Sequence, residues 1–394
     1  MTGLMPAPSS VPSSALQVQL PTGELTLTVH DSQFALDSLL GFAARANAKR
    51  GFLFLSKVLG KHWPATPARM KQVHAGLAAT VPEMDGPVVF IAMAETAIGL
   101  GQGVFEAWLA ANPGKQALFV HTTRYQVDGA PLIEFEEAHS HAPRQFLHLP
   151  PDEQARALLL GATSLVLVDD EASTGNTFLN LTNACRQLNP AIARVHLAAI
   201  TNFMGAAASA ALSARFGLPV TIGASLHGEY RFAPGQLETA AAPAQRFEAG
   251  ADRGASGAFG RFGLHGALNV PDALVTRLAA AVQPGERVLV LGTGEFMHAP
   301  LVLGAQLEAR GLDVVVQSTT RSPILTWGAV SHALTFPDNY GEGVANFIYN
   351  VAPGQYDHVF ICHETPPNAA LRELARALDG RLFHFISEKH VEEV

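Results

Sequence analysis

Charge and cysteine are both scarce in this chain of 394 residues, where charged side chains make up 15% and the only cysteines are Cys185 and Cys362. So few thiols exclude a disulfide-stapled scaffold and fit a reducing compartment, with both cysteines expected as buried thiols. The net charge of −8 leaves no broad cationic face of the kind that holds a phosphodiester backbone, so no nucleic-acid partner is expected. The first twenty residues carry no basic start and no continuous apolar segment. Neither a secretory signal nor a transit peptide is therefore expected, and the expected location is the cytoplasm. No membrane association is expected either: the nearest candidate run, Leu197 to Ala211, is short, alanine-rich and broken by Thr201 and Asn202, and reads as a buried helix. Gly-x-x-x-x-Gly-Lys-Ser/Thr is absent, and the clusters Gly99-Leu-Gly101-Gln-Gly103 and Gly292-Thr-Gly294 miss the spacing Gly-x-Gly-x-x-Gly. These absences set aside P-loop NTPases and make a dehydrogenase a poor reading.

What the chain has is apolar residue, 48% of it, over a length that exceeds what one core usually serves. Residues 1–14 are rich in Pro and Ser and are expected as a disordered tail. Alternation from Leu16 to Val29 around Pro21-Thr-Gly23 predicts two half-buried strands in a hairpin. Beyond Asp85 the pattern becomes apolar strand, glycine-bearing turn, helix, with strands at Val88 to Ala92, Ala117 to His121, Leu165 to Val168 and Val195 to Thr201. That rhythm predicts an α/β fold: a parallel sheet with helices on both faces, and ligands outside the carboxyl ends of its strands. Pro234 to Gly260 turns Ala- and Gly-rich, as a linker or extended connection does. A second α/β unit is expected after it, with strands at Arg287 to Leu291, Leu312 to Gln317 and His358 to Cys362, and helices near Ala299 to Arg310 and Asn368 to Leu378. The expected organisation is a tail at 1–14, a first unit at 15–235, a connection at 236–262 and a second unit at 263–394.

Chemistry concentrates in Leu165-Val-Leu-Val-Asp-Asp-Glu-Ala-Ser-Thr-Gly-Asn-Thr177. An apolar strand runs into Asp169 and Asp170, and the small residues Ala172, Ser173, Thr174 and Gly175 then lead through Asn176 to a helix starting near Thr177. Small residues let backbone amides converge on an anion, the helix terminus adds its dipole, and the hydroxyls of Ser173, Thr174 and Thr177 add donors. The cradle suits a phosphate monoester, with the two carboxylates about one ribose ring away to accept sugar hydroxyls. The plainer alternative is an ordinary helix start capped by Asp and Ser/Thr.

Around it lie further candidates. After Val88 to Ala92 comes Met93-Ala-Glu-Thr-Ala-Ile-Gly99, in which Glu95, Thr96, Ala97 and Gly99 face anion work or a plain packing turn. The segment Asn47 to Pro67 gathers Lys49, Arg50, Lys57 and Lys61; Lys57 and Lys61 are four apart and read as neighbours on a helix, facing an anion or solvent. Thr122-Thr-Arg124-Tyr125 through Arg144 reads as a mobile lid, with Arg124 as a candidate anion ligand. Within it Glu136, Glu137, His139 and His141 are candidate catalytic groups, the histidines as proton carriers; a metal cluster is the competing reading. Gln317-Ser-Thr-Thr-Arg321-Ser322-Pro323 follows an apolar strand, so Arg321 and Ser322 offer an anion site or a turn with a surface ion pair. Glu295 and Asp338-Asn-Tyr-Gly341 follow other strands of that unit and are expected to converge on it.

The 165–177 run resembles the signature by which type I phosphoribosyltransferases bind 5-phosphoribosyl 1-pyrophosphate (PRPP). Together with Asn47 to Pro67, Ala94 to Gly101 and Glu136-Glu-Ala-His-Ser-His141, it resembles the branch encoded with tellurite-resistance and stress-response operons, over roughly residues 30 to 235. Its companion domain is named for a Thr-Arg-Ser-Pro motif, present here as Thr320-Arg-Ser-Pro323. The resemblance implies a type I phosphoribosyltransferase-like sheet and PRPP bound with Mg²⁺ at Asp169 and Asp170. Pyrophosphate would be gripped at Glu95 to Gly99, under a hood formed by the lid. An unidentified base-like acceptor, a homodimer, and ATP-grasp ligase and phosphatase partners in making a nucleoside-like metabolite are implied as well. The rival reading is a PRPP-sensing regulator without turnover. PRPP binding is expected from the first unit alone, and second-substrate or product chemistry from the second.

Overall fold

The computed structural model describes residues 15–45, 50–127, 129–136, 144–235 and 254–394. The expected tail and residues 236–253 of the expected connection lie outside the described residues.

The alternating segment forms the expected hairpin, β1 (Ala15–Leu20) with β2 (Gly23–Ser32), burying Leu25 and Leu27 on one face. A short helix α1 (Leu36–Leu39) leads to a second hairpin, β3 (Leu40–Ala44) with β4 (Phe52–Ser56). Residues 57–66 are irregular, so Lys57 and Lys61 are not neighbours on a helix; the next helix, α2 (Pro67–Ala78), starts only where the Thr66 hydroxyl caps it and Pro67 takes its first turn. The chain continues through β5 (Val88–Ala92), α3 (Ile98–Ala111) and β6 (Ala117–His121), then the hairpin β7 (Leu132–Glu136) with β8 (Arg144–His148). It goes on as α4 (Glu153–Gly161), β9 (Ser164–Ala172), α5 (Asn176–Leu188), β10 (Arg194–Asn202), α6 (Ala206–Ala210), α7 (Leu212–Phe216) and β11 (Val220–Pro234). The run expected as a buried helix, 197–211, is therefore strand β10 followed by a single turn of α6. A short continuous apolar run has no period that tells strand from helix, and pairing on both sides, with β9 and β11, decides it.

The seven-stranded first sheet has the order β1-β2-β11-β10-β9-β5-β6, parallel from β11 to β6. Its central strands are apolar throughout because both faces are covered. Val88, Phe90 and Ala92 of β5 join a core with α2 and α3, while Val89 and Ile91 join another with α4 and α5. The chain leaves β5 for β6 on one side and returns to β9 on the other. The switch point thus lies between β5 and β9, and the loops after these two strands flank the crevice position where such sheets take ligands.

The second sheet repeats the logic. After α8 (Asp272–Ala281), β12 (Arg287–Gly292), α9 (His298–Glu308), β13 (Asp313–Ser318), the hairpin β14 (Ala333–Pro337) with β15 (Ala345–Tyr349), β16 (His358–His363), α10 (Ala369–Leu378), β17 (Arg381–Ser387) and β18 (His390–Glu393), the order is β13-β12-β16-β17-β18. Here the switch point lies between β12 and β16. Both sheets are stitched to each other at their edges: Phe119 of β6 exchanges backbone hydrogen bonds with Leu264, and Val316 of β13 does so with Ala65. Among the described residues no helix is long and apolar enough to cross a membrane.

Candidate functional site

At the carboxyl end of β9, Asp169 and Asp170 are half-buried, and Gly175 sits at φ +70° directly before α5. A Cβ on Gly175 would meet Met204 Sδ at 3.1 Å, so the left-handed turn and the close packing both ask for glycine. Ser173 and Thr177 are half-buried on either side, and Thr174 Oγ1 accepts from Asn176 N at 3.3 Å. Arg215 of α7, which the sequence did not single out, clamps this loop by donating to the Thr174 carbonyl at 2.5 Å and to Asn176 Oδ1.

The loop after β5 lies alongside. Thr96 Oγ1 donates to Asp170 Oδ1 at 3.0 Å, which joins the two sequence-predicted loops directly. Ala94 N donates to Thr122 Oγ1 at 2.8 Å and Gln145 Nε2 donates to the Ala94 carbonyl at 3.2 Å, so the end of β6 and strand β8 hold this loop in place. The Ala94–Glu95 peptide is cis. Gly99 and Gly101 lie in the first turn of α3. Their Cβ positions face Met297 and Ala92, so they serve the packing of α3 on its neighbours.

The cations divide. Lys61 is fully buried, pairs with Glu95 Oε1 at 2.7 Å and donates to the Gly294 carbonyl at 2.7 Å. Burial alone would push the Glu95 carboxyl up; the Lys61 ammonium, followed by the Arg321 guanidinium, outweighs it and holds Glu95 below the usual carboxylate range. Lys57 turns away, donating to the Asp37 carbonyl and lying over the Trp63 ring. Arg50 binds Glu171 at 2.5 Å. Arg45, not singled out from sequence, is close enough to feel Arg50, Glu171 and Asp170; burial, then the Arg50 charge, lowers its pKa to about 10. Lys49 lies outside the described residues, as do Glu137, His139 and His141. Glu136 ends β7 with only its backbone described.

Carboxyl ends of the second sheet face this site. Glu295, after β12, accepts from Thr123 Oγ1 at 2.6 Å and from the Arg124 backbone N–H at 2.8 Å. Arg261 lies at the second sheet's own switch point, fully buried between Glu295 at 2.9 Å and Glu364 at 2.6 Å. These two carboxylates raise its pKa against the effect of burial. It sits in a stretch whose composition reads as linker, so no local pattern marks it as a site residue. Arg321 donates to Tyr125 Oη at 3.0 Å and to Glu342 Oε2 at 2.9 Å, and lies over the Tyr125 ring. Tyr125 stacks on Tyr340 with centroids 4.2 Å apart. Asp338 does not join the site: its carboxylate accepts the backbone N–H groups of Tyr340, Glu342 and Val344 and shapes its own loop. Among the described residues no group of three or more His, Cys, Asp or Glu side chains comes together as a metal cluster. Both cysteines are buried, and burial pushes Cys185 up to about 12.

Three comparisons bear on this arrangement. No curated protein matches the chain. Among solved structures, similar ones include adenine phosphoribosyltransferase of Leishmania donovani (14% identity, 48% of this chain and 76% of that one, TM-score 0.33). Another is the Trypanosoma brucei enzyme in complex with AMP, pyrophosphate and ribose-5-phosphate (12%, 48% and 77%, TM-score 0.32). A third is that of Rhodothermus marinus (14%, 48% and 94%, TM-score 0.29). Likeness at these scores transfers no residue role to this chain. The family models are specific: residues 39–229 match one described as phosphoribosyl transferase. Residues 258–378 match one described as the TRSP domain C-terminal to it. Residues 39–229 of the chain thus belong to the phosphoribosyl transferase family and are followed at 258–378 by the TRSP domain that accompanies it.

Proposed function

We propose that the protein transfers ribose 5-phosphate from PRPP to a base-like acceptor and releases pyrophosphate. One observation carries this reading: at the switch point of the first sheet, the acidic end of β9, which runs into the phosphate loop, is joined to the loop after β5 through Thr96 and Asp170. Backbone amides from Ser173 to Thr177 at the start of α5 hold the 5-phosphate. Asp169 and Asp170 accept the ribose hydroxyls, and Glu95 to Gly99 line the pyrophosphate. Two adjacent half-buried carboxylates fit Mg²⁺, which takes hard oxygen donors and is commonly held by one or two carboxylates plus substrate phosphates. When bound there, Mg²⁺ supplies charge neutralisation on the departing pyrophosphate. The chain's own residues fix the sugar and stabilise charge as the C1 bond breaks, which needs no protein nucleophile. The β7–β8 hairpin excludes water over the ribosyl cation, with Glu136, Glu137, His139 and His141 as its candidate catalytic groups, the two histidines as proton carriers. On the resemblance of 47–67, 94–101, 136–141 and 165–177 to the tellurite-resistance and stress-operon branch, with Thr320–Pro323 as the motif of its companion domain, we assign the product to synthesis of a nucleoside-like metabolite in tellurite resistance or stress response. A cytoplasmic homodimer working with an ATP-grasp ligase and a phosphatase belongs to the same reading.

Calorimetric titration with PRPP and Mg²⁺ tests the site. Asp169→Asn combined with Asp170→Asn should leave the fold intact and abolish measurable affinity; undiminished affinity in the folded double variant rules the assignment out. Pyrophosphate release with a panel of bases separates a transferase from a PRPP sensor. Untargeted comparison of metabolites in cells with and without the protein then names the acceptor.

A further inference from the structure

Strand β13 ends in the segment that gives the second domain its name, and that segment is rigidly presented. Thr320 and Phe347 exchange backbone hydrogen bonds at 2.9 and 2.7 Å, and the Tyr349 hydroxyl donates to the Ser322 carbonyl at 2.8 Å while accepting from Ile324 N at 2.8 Å. Two consecutive side chains leave this platform towards the first sheet. Arg321 reaches Tyr125 beyond β6, and its charge acts on Glu95 in the loop after β5. Ser322 Oγ accepts from Arg45 Nη2 at 3.3 Å, and Arg45 feels Asp170 and Glu171 at the carboxyl end of β9. The segment therefore spans both loops that flank the first switch point.

The two guanidinium groups share a second property. Nε of Arg45 and Nε of Arg321 are buried, and neither has a hydrogen-bond acceptor among the described residues. A buried donor left without an acceptor is uncommon in a folded protein, and a bound anion would satisfy both. Arg321 has one carboxylate partner, Glu342, whose side chain is 33% exposed, so that pair is weak and open to exchange. Tyr125, its other partner, is buried, and burial raises its pKa, so it stays a neutral phenol that supplies a ring and no charge.

We propose that Arg321 and Arg45 form a pyrophosphate subsite that the second sheet contributes to the transferase site of the first. Planar forks of this kind match two oxygens of a phosphoryl group, and pyrophosphate carries most of the charge of PRPP. The inference rests on the phosphoribosyl reading above and adds to it that the TRSP segment is part of the same site rather than of a second one.

Isothermal titration of the full chain, with Mg²⁺-pyrophosphate and with ribose 5-phosphate as separate probes, tests it. Arg321→Ala should weaken pyrophosphate by at least about tenfold and leave ribose 5-phosphate unchanged. Arg321→Lys keeps the charge without the fork, stays closer to the native fold, and should fall between the two. Glu342→Gln removes the competing rim carboxylate and should hold or tighten pyrophosphate. Pyrophosphate affinity in Arg321→Ala or Arg321→Lys equal to wild type overturns the subsite, and so does parallel loss of both ligands. A loss in Glu342→Gln as large as in Arg321→Ala would reduce Arg321 to an anchor and overturn it too. Wild-type protein that binds neither probe overturns the transferase reading as well, whereas wild-type binding with indifferent Arg321 variants overturns the subsite alone.

Discussion

Gly175 and Lys61 show how differently single residues serve this site. Gly175 holds a left-handed turn that costs any other residue about 1–2 kcal/mol, with Met204 Sδ already close. Gly175→Val should lose that much stability and all ribose 5-phosphate binding; ligand protection against thermal unfolding that survives in this variant would put the phosphate elsewhere. Lys61 instead neutralises Glu95 in a fully buried position. Lys61→Met strands a buried carboxylate and should cost about 3–5 kcal/mol in urea unfolding, with Glu95→Gln restoring part of it. The pH dependence follows with its sign. Glu95 is depressed below its ordinary value of 4.5, so its contribution is full above that pH and is lost as pH falls through the folded value. In Lys61→Met burial dominates, the folded value rises, and this acid-side loss should shrink or reverse; an unchanged profile would mean that the pair does not set the titration. At this scale the proposed phosphate loop stands out in the sequence because its residues are consecutive. Arg45, Arg215 and Arg261 do not: each acts through a partner distant in sequence, and nothing local marks a lone arginine as paired.

Among the elements, β5, β6, β9, β12, β13 and β16 were readable because buried parallel strands are dense apolar runs of strand length between turns, whereas β11, β17 and β18 of the same sheets were not read. Lys57 and Lys61 misread as a helical pair because spacing alone cannot see that β4 ends at Ser56 and that residues 57–66 run irregularly to the β13 edge. The β7–β8 hairpin carries the most testable consequence at this level. Phe135, Phe146 and Leu147 anchor its base in buried positions, while Gln145 reaches back to hold the loop after β5. A hairpin so tied to the loop after β5, proposed above to line pyrophosphate, should respond to what that loop binds. Hydrogen exchange across 132–148 should slow when PRPP and Mg²⁺ are added together. Equal exchange with and without them would leave the hairpin as a scaffold for Ala94 and remove it from the catalytic cycle.

For the whole molecule, what matters is that the carboxyl ends of both sheets meet. Sequence spacing assigns each sheet its own ligand site, because it lists switch points without showing that they face each other. In the fold, Lys61 donates to Gly294. Glu295 accepts from Thr123 and Arg124. Leu264 pairs with the edge strand β6. Arg261 occupies the second switch point as a side chain of the same chain, its charge matched by Glu295 and Glu364. Removing one partner from such a buried ionic set costs about 3–5 kcal/mol, because the carboxylates left behind have no water to turn to. Arg261→Met should therefore destabilise the first sheet as well as the second, since Glu295 would lose its place against Thr123 and Arg124. A chain ending near residue 240 should fare worse: it bares Lys61 and the β6 edge together, and should lose PRPP binding that composition alone would have left with the first unit. Scanning calorimetry of the full chain should show one cooperative transition, lowered as a whole by Arg261→Met. Two separate transitions, with the first-sheet transition unmoved by Arg261→Met and the shortened chain still binding PRPP, would show that the two sheets are independent neighbours and that the seam between them has no part in the site.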